Sequence, residues 1–168
     1  MQVKIFREKE IKIKVKEELE IVQFYLYLQK SRYQAKLSYE VKLEDEKIGE
    51  DLIPRLLIEP LVENAVSHGL EPKREKGNLQ VLLYEREMLY IWVKDDGVGV
   101  GQNQMKAEEN KENIPHTHVG WENTKKMLRI LYGDHYKFQV WSEPGKGTEI
   151  EIAVPIERGG NYVESDSS

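Results

Sequence analysis

Asp95-Asp96-Gly97-Val98-Gly99 follows directly on Leu89-Tyr90-Ile91-Trp92-Val93-Lys94, and about thirty residues upstream lies Glu63-Asn64-Ala65-Val66-Ser67-His68-Gly69. Ahead of the acids, Leu89, Ile91 and Val93 alternate with Tyr90 and Trp92, the period of a strand with two unlike faces. That strand runs straight into Asp95. A carboxylate held at a strand end can accept the exocyclic N–H of an adenine, while glycines beside it let the backbone approach the ring. Asp95 is therefore the candidate acceptor, with Gly97 and Gly99 as the close backbone. Taken alone, the five residues also suit a plain turn between two strands.

In the upstream stretch, Ile58, Leu61, Val62 and Ala65 form one apolar stripe of an amphipathic helix that closes at Gly69. Asn64 and His68 are four apart and share a different face. Magnesium takes hard oxygen ligands and keeps several waters, so the Asn64 amide oxygen with phosphate oxygens makes a sensible shell. Glu63 lies about 100° round a regular helix from Asn64, flanking such an ion without touching it. Without a ligand the same pattern is a surface helix, with His68 as a charge near its C-terminus. If the helix begins near Pro54, Pro60 falls in its interior, strands the carbonyl of Leu56 and kinks it.

A chain of 168 residues is enough for one domain with a sizeable core. The absence of cysteine excludes disulfides and thiolate metal sites and suits a reducing compartment. No apolar run approaches the roughly 18 residues of a membrane span, and the start does not read as a signal peptide. With 25 basic against 30 acidic residues, interspersed, the net charge of −5 offers no basic footprint for nucleic acid. Phosphate binding must then come from local groups and a metal.

Elsewhere the periods are simple. Val3 with Ile5, and Ile11 with Ile13 and Val15, alternate as a short hairpin or edge strand; Leu19, Val22, Leu26 and Tyr33 mark a helix over about residues 16–33. Leu37 to Leu43 alternates as a strand, and Leu79 to Tyr84 pairs through a short turn with the strand ending at Asp95. Residues 100–119 have no period, and an unstructured connection of that length beside the adenine acceptor reads as a lid. Gly120 then opens a helix with Trp121, Thr124, Leu128 and Leu131 inward and Gly133 as its stop. The free N–H groups at its start can hold phosphates, with Asn123, Lys125 or Lys126 adding contacts. Phe138 to Trp141 and Glu149 to Val154 are strands with one wet face. The expected organisation is an extension or edge hairpin over 1–15, one domain over 16–156 and a disordered tail over 157–168. The expected architecture is an α/β two-layer sandwich, a mixed and mostly antiparallel sheet covered on one face by about three helices. No Walker phosphate loop is present, since Gly145-Lys146 is followed by Gly147.

Four motifs in order resemble the GHKL-type ATPases, and among them the catalytic domains of two-component sensor histidine kinases of the LytS/YesM-like group. Pro60 to Gly69 looks like that group's N box and Asp95 to Gly99 its G1 box. His118-Val119-Gly120-Trp121-Glu122-Asn123 looks like its G2 box, and Ser142 to Thr148 its closing Gly-x-Gly-Thr turn. The resemblance covers roughly residues 15–156. The pattern departs at His118 for a glycine, Trp121 for a leucine, Ser67 for a basic residue and Pro60 for an acid or amide.

The resemblance implies the Bergerat fold, with ATP and Mg2+ as cofactors held by Asn64, His68, Asp95, Gly97, Gly99, His118, Gly120, Asn123 and Thr148. Asn64 is then the metal ligand, and Glu63, with Glu59 behind it, the candidate general base. It further implies transfer of the ATP γ-phosphoryl to a histidine on an upstream dimerisation and phosphoacceptor element, and a response regulator as the next partner. The full-length protein is then a homodimer, and this chain the cytoplasmic domain of a membrane-bound sensor. None of His68, His116, His118 and His135 has the context of that acceptor, so it is expected outside this chain. Two other readings stay open: a degenerate GHKL module that docks partner proteins, and a GHKL protein-serine kinase.

Overall fold

The computed structural model describes residues 11–101 and 119–159. In chain order these form β1 (Lys12–Lys14), α1 (Val15–Tyr33), β2 (Leu37–Leu43), β3 (Leu52–Pro54), α2 (Glu59–Asn64), β4 (Gly77–Glu85), β5 (Leu89–Asp95), α3 (Val119–Tyr132), β6 (Lys137–Glu143) and β7 (Gly147–Val154). From Ala65 to Leu70, α2 runs on as a π-helical turn.

Alternation decides the sheet. Its order is β2-β4-β5-β7-β6, with β2 parallel to β4 and every other pair antiparallel. The register sets Val81, Val93 and Ile150 in one row, and Leu83, Ile91 and Ile152 in the next. All six are buried, together with Leu19, Val22 and Leu26 of α1, Leu61 and Val62 of α2 and Leu128 of α3. The opposite face keeps polar partners: Tyr84 stacks on Tyr90, and Trp92 Nε1 donates to Glu149 at 2.6 Å. This is the expected two-layer sandwich, with three helical segments on one face of a mostly antiparallel sheet.

Pro60 does not kink a helix: α2 starts at Glu59, so the proline sits in the first turn, where its missing N–H has no helical partner to lose. Leu56, with φ of 59°, turns the chain from β3 into that start. In α3 the anticipated inner residues Thr124 and Leu128 are buried, Trp121 and Leu131 pack half-buried against the core, and Tyr132, not anticipated, is buried with them. At the beginning of the described chain, β1 pairs with β3 and buries Lys12, while Ile11 and Ile13 are half-buried. Lys12 is tolerated there because Nζ lies 2.7 Å from Glu157 Oε1 and above the Tyr132 ring. Val3 and Ile5 lie outside the described residues.

Glu157 to Gly159, expected to begin a loose tail, are tied down instead. Leu52 N donates to Glu157 O at 2.7 Å, and Gly159 N to Glu50 O at 2.8 Å. Beneath this strap Asp51 is fully buried. Neither of its carboxylate oxygens has a hydrogen-bond partner, and Arg158 Nε stands 3.9 Å from Oδ1. Burial pushes the Asp51 carboxyl up to about 7, and the neighbouring Glu85 adds to the rise against Arg158 and Lys47.

An acid whose folded value lies above its unfolded one stabilises the fold below the unfolded value, near 4, and loses that contribution as pH rises through about 7. Asp51→Asn is therefore expected to raise stability at pH 8, by up to about 1–3 kcal/mol. It should also flatten the decline between pH 5 and pH 8, read from urea unfolding midpoints at each pH.

Candidate functional site

The sheet delivers Asp95 to the end of its central strand. The residue pairs with Leu79 on one side and Thr148 on the other, and is 4% exposed. Its Oδ1 accepts the Gly97 N–H at 2.9 Å. Burial pushes its carboxyl up to about 6; the N–H groups of Gly97 and Thr148 work against the rise, Asp96 adds to it and Lys73 opposes it.

Asp96 has a different task. Burial raises its carboxyl, but the Asn78 N–H at 2.7 Å, the Asn78 side-chain amide at 3.0 Å and Lys73 at 3.4 Å hold it below the usual aspartate range. Lys73 Nζ also donates to the Asp96 carbonyl at 2.9 Å. Asp96 splints the turn so that Asp95 is free to face inward.

Two glycines bring the turn against the helix that carries Asn64. Val98 N donates to the Gly69 carbonyl at 2.9 Å, and a methyl on Gly97 would sit 2.1 Å from that same oxygen. A methyl on Gly69 would fall 2.6 Å from Asp95 Oδ1. On the far side the β6–β7 turn closes in: Gly145 N donates to Val98 O at 2.8 Å. Ser142 Oγ takes the Val100 N–H at 2.8 Å and lies 3.1 Å from Gly147 O and 2.7 Å from Thr148 Oγ1.

The result is one cavity of about 260 Å³ with both ends of the anticipated site on its wall. Asp95, Gly99 and Thr148 line it from the strand side, Asn64 and His68 from the helix side, with Leu61, Val93 and Ile150 as apolar walls. Asp95 is deep, Asn64 half-buried and His68 exposed. The Asn64 Nδ2 is buried with no hydrogen-bond partner, an orphaned polar group on the wall of a cavity.

Other anticipated residues lie elsewhere. Glu63 is exposed and off the cavity wall. It is close to Glu59, whose carboxyl is raised first by burial and then by Glu63 itself, and both acids reach Tyr25. Asn123 is exposed and also off the wall. Lys125 pairs with Glu122 at 3.5 Å and lies over the Phe138 ring. Gly120 is in the first turn of α3, while His118 and residues 102–118 of the anticipated lid lie outside the described residues. Among the described residues no cluster of three His, Cys, Asp or Glu side chains is set to hold a metal.

Residues 49–158 match the family described as histidine kinase-, DNA gyrase B-, and HSP90-like ATPase, and the chain belongs to that family. Over 144 residues it is 28% identical to sensor histidine kinase YesM of Bacillus subtilis, covering 85% of this chain and 24% of that protein. Over 150 residues it is 24% identical to sensor protein kinase HptS of Staphylococcus aureus, covering 88% and 29%. The chain thus spans about a quarter of the length of these curated relatives. The histidine kinase domain of the Erythrobacter litoralis EL346 blue-light activated kinase superposes with a TM-score of 0.62 at 18% identity, covering 86% of this chain and 62% of that one. Such a likeness carries the fold.

Gly97→Ala should force the turn off the helix end, because its methyl meets backbone and not a mobile side chain. We expect a loss of about 2 kcal/mol or more. Gly133→Ala, where φ is 61° and nothing lies within 4 Å, should lose only about 1–2 kcal/mol to backbone strain. Thermal unfolding of the two variants reads the difference.

Proposed function

We propose that this chain is the ATP-binding catalytic domain of a sensor histidine kinase. The observation that carries the reading is the placement of the Asp95 carboxylate and the Asn64 amide on one cavity wall. Asp95, fixed at its strand end, accepts the adenine amino N–H. Leu61, Val93 and Ile150 exclude water from the ring, and Thr148, held to Ser142, supports that edge of the pocket. Asn64 offers its amide oxygen to Mg2+. A single protein ligand fits an ion shared with phosphates and water. When bound, the ion supplies charge neutralisation at the phosphates.

The phosphoryl acceptor is a histidine on an upstream dimeric element. A neutral imidazole already carries its lone pair, so positioning matters more than a strong base, and the removal of Glu63 from the cavity is compatible with that chemistry. Signalling then passes to a response regulator. Among the described residues no helix is long and apolar enough to cross a membrane. By likeness to the sensor kinases it matches, the domain is proposed as the cytoplasmic part of a membrane-bound sensor. Ile21, Phe24, Tyr27 and Leu28, exposed along α1, favour a second reading as a module that docks proteins. Phosphoryl transfer to an acceptor domain supplied in trans separates the two.

Mg-ATP at about ten times its Kd should raise the melting temperature by roughly 3 °C or more. Asn64→Ala or Asp95→Asn should erase the shift, and an unchanged wild-type curve at millimolar ATP would overturn the proposal. The acceptor role needs Asp95 ionised, so affinity should fall as pH drops below about 6. Adenosine titrations at pH 5 and pH 7.5 read this without interference from phosphate protonation.

A further inference from the structure

The N-terminal end of α2 is capped from outside its own sequence. Ile58, its cap residue, makes no side-chain cap hydrogen bond, and Pro60 brings no N–H. The donors ahead of the helix are met by Glu18, in the first turn of α1 and fully buried. Glu18 Oε1 accepts the Leu57 N–H at 3.0 Å, and Oε2 the Ile58 N–H at 2.7 Å. Both carboxylate oxygens are thus spent on two consecutive backbone donors some forty positions away, just after Leu56 with its positive φ. The site described above makes no use of this side chain.

We propose that Glu18 is a positioning residue for the metal-binding end of the pocket, acting through α2 on Asn64. The inference rests on the nucleotide reading of the cavity. Its mechanical basis is the shortness of the element: α2 has six residues. One end is gripped by Glu18, and beyond the π-helical turn the other is gripped at Gly69 by Val98. With both ends fixed, the rotation of the helix, and so the direction of the Asn64 amide, has no slack. Releasing the Glu18 end lets α2 turn about the Gly69 anchor. Asp95 stands on the sheet and does not move with it, so the adenine end is spared. A buried carboxyl does not take this position for its own stability, because burial raises it to about 7 against the pull of the Ile58, Leu57 and Leu56 N–H groups, with Glu59 adding to the rise.

The test is ATP affinity measured with Mg2+ and with EDTA, alongside amide hydrogen exchange, on this chain. Glu18→Gln keeps the shape and one acceptor; Glu18→Met keeps the volume and none. Leu26→Ala, on the same helix and fully buried, serves as a destabilised control that leaves the clamp intact. The affinity gained on adding Mg2+ should fall in the order wild type, Glu18→Gln, Glu18→Met, with a total loss of about tenfold. ATP affinity in EDTA should stay within about twofold for the Glu18 variants. Leu26→Ala should melt earlier yet keep the full Mg2+ gain. Exchange at Leu57 and Ile58 should accelerate in the Glu18 variants alone. A full Mg2+ gain in Glu18→Met, or an equal loss in Leu26→Ala, overturns the positioning role while leaving the nucleotide pocket standing. A wild-type chain whose ATP affinity ignores Mg2+ overturns the assignment of Asn64, and the role of Glu18 with it.

Discussion

The contact on which the rest depends is backbone against backbone: the Asp95–Gly97 turn pressed on the carbonyl of Gly69. A side chain on either glycine would pry the helical layer from the end of the sheet. Because neither has one, the acid at the sheet end and the amide on the helix face a common space. The surrounding parts brace that contact. Asp96 and Asn78 tie the turn to β4, Ser142 ties it to the β6–β7 hairpin, and Gly147, with φ of 100°, passes under the Asp95 carbonyl where a methyl would come within 2.0 Å.

Much of this was legible in the chain. Alternation at Leu89, Ile91 and Val93, and the stripe of Leu19, Val22 and Leu26, report directly on which atoms leave water, and those residues are buried. The grouping of Asn64 with His68 follows from helical spacing, and both reach the cavity. What failed was what local pattern does not encode. Pro60 reads as a breaker until the helix start is known. The burial of Lys12 depends on Glu157, far along the chain, which no local pattern announces. Asn123 neighbours the G2-like stretch in sequence, but it is exposed and off the cavity wall. The bond between Asp96 and Asn78 has no sequence signal, since it joins a strand end to the start of its hairpin partner. Glu18 did have one. It is an acid on the same strip as Val15, Leu19 and Val22, and such a misfit inside an apolar stripe is a reason to look for its partner.

Ionisable groups inside this molecule divide by purpose. Asp51, Glu18 and Asp95 are all raised by burial, yet each is set differently among donors. Glu18 has two backbone N–H groups and is structurally spoken for. Asp51 has none, and holds only a distant guanidinium. Asp95 has its Gly97 bond and an open cavity before it.

β7 lies inside the sheet, between β5 and β6, although it is the last strand of the described chain. During synthesis β2, β4 and β5 therefore emerge first, and the β5 edge that faces β7 has no partner until residues 147–154 follow. Until then the cavity lacks one wall, because Thr148 and Ile150 arrive with that strand. A translational stall or early stop between Asp95 and Gly147 would leave an adhesive strand edge and not a smaller working domain.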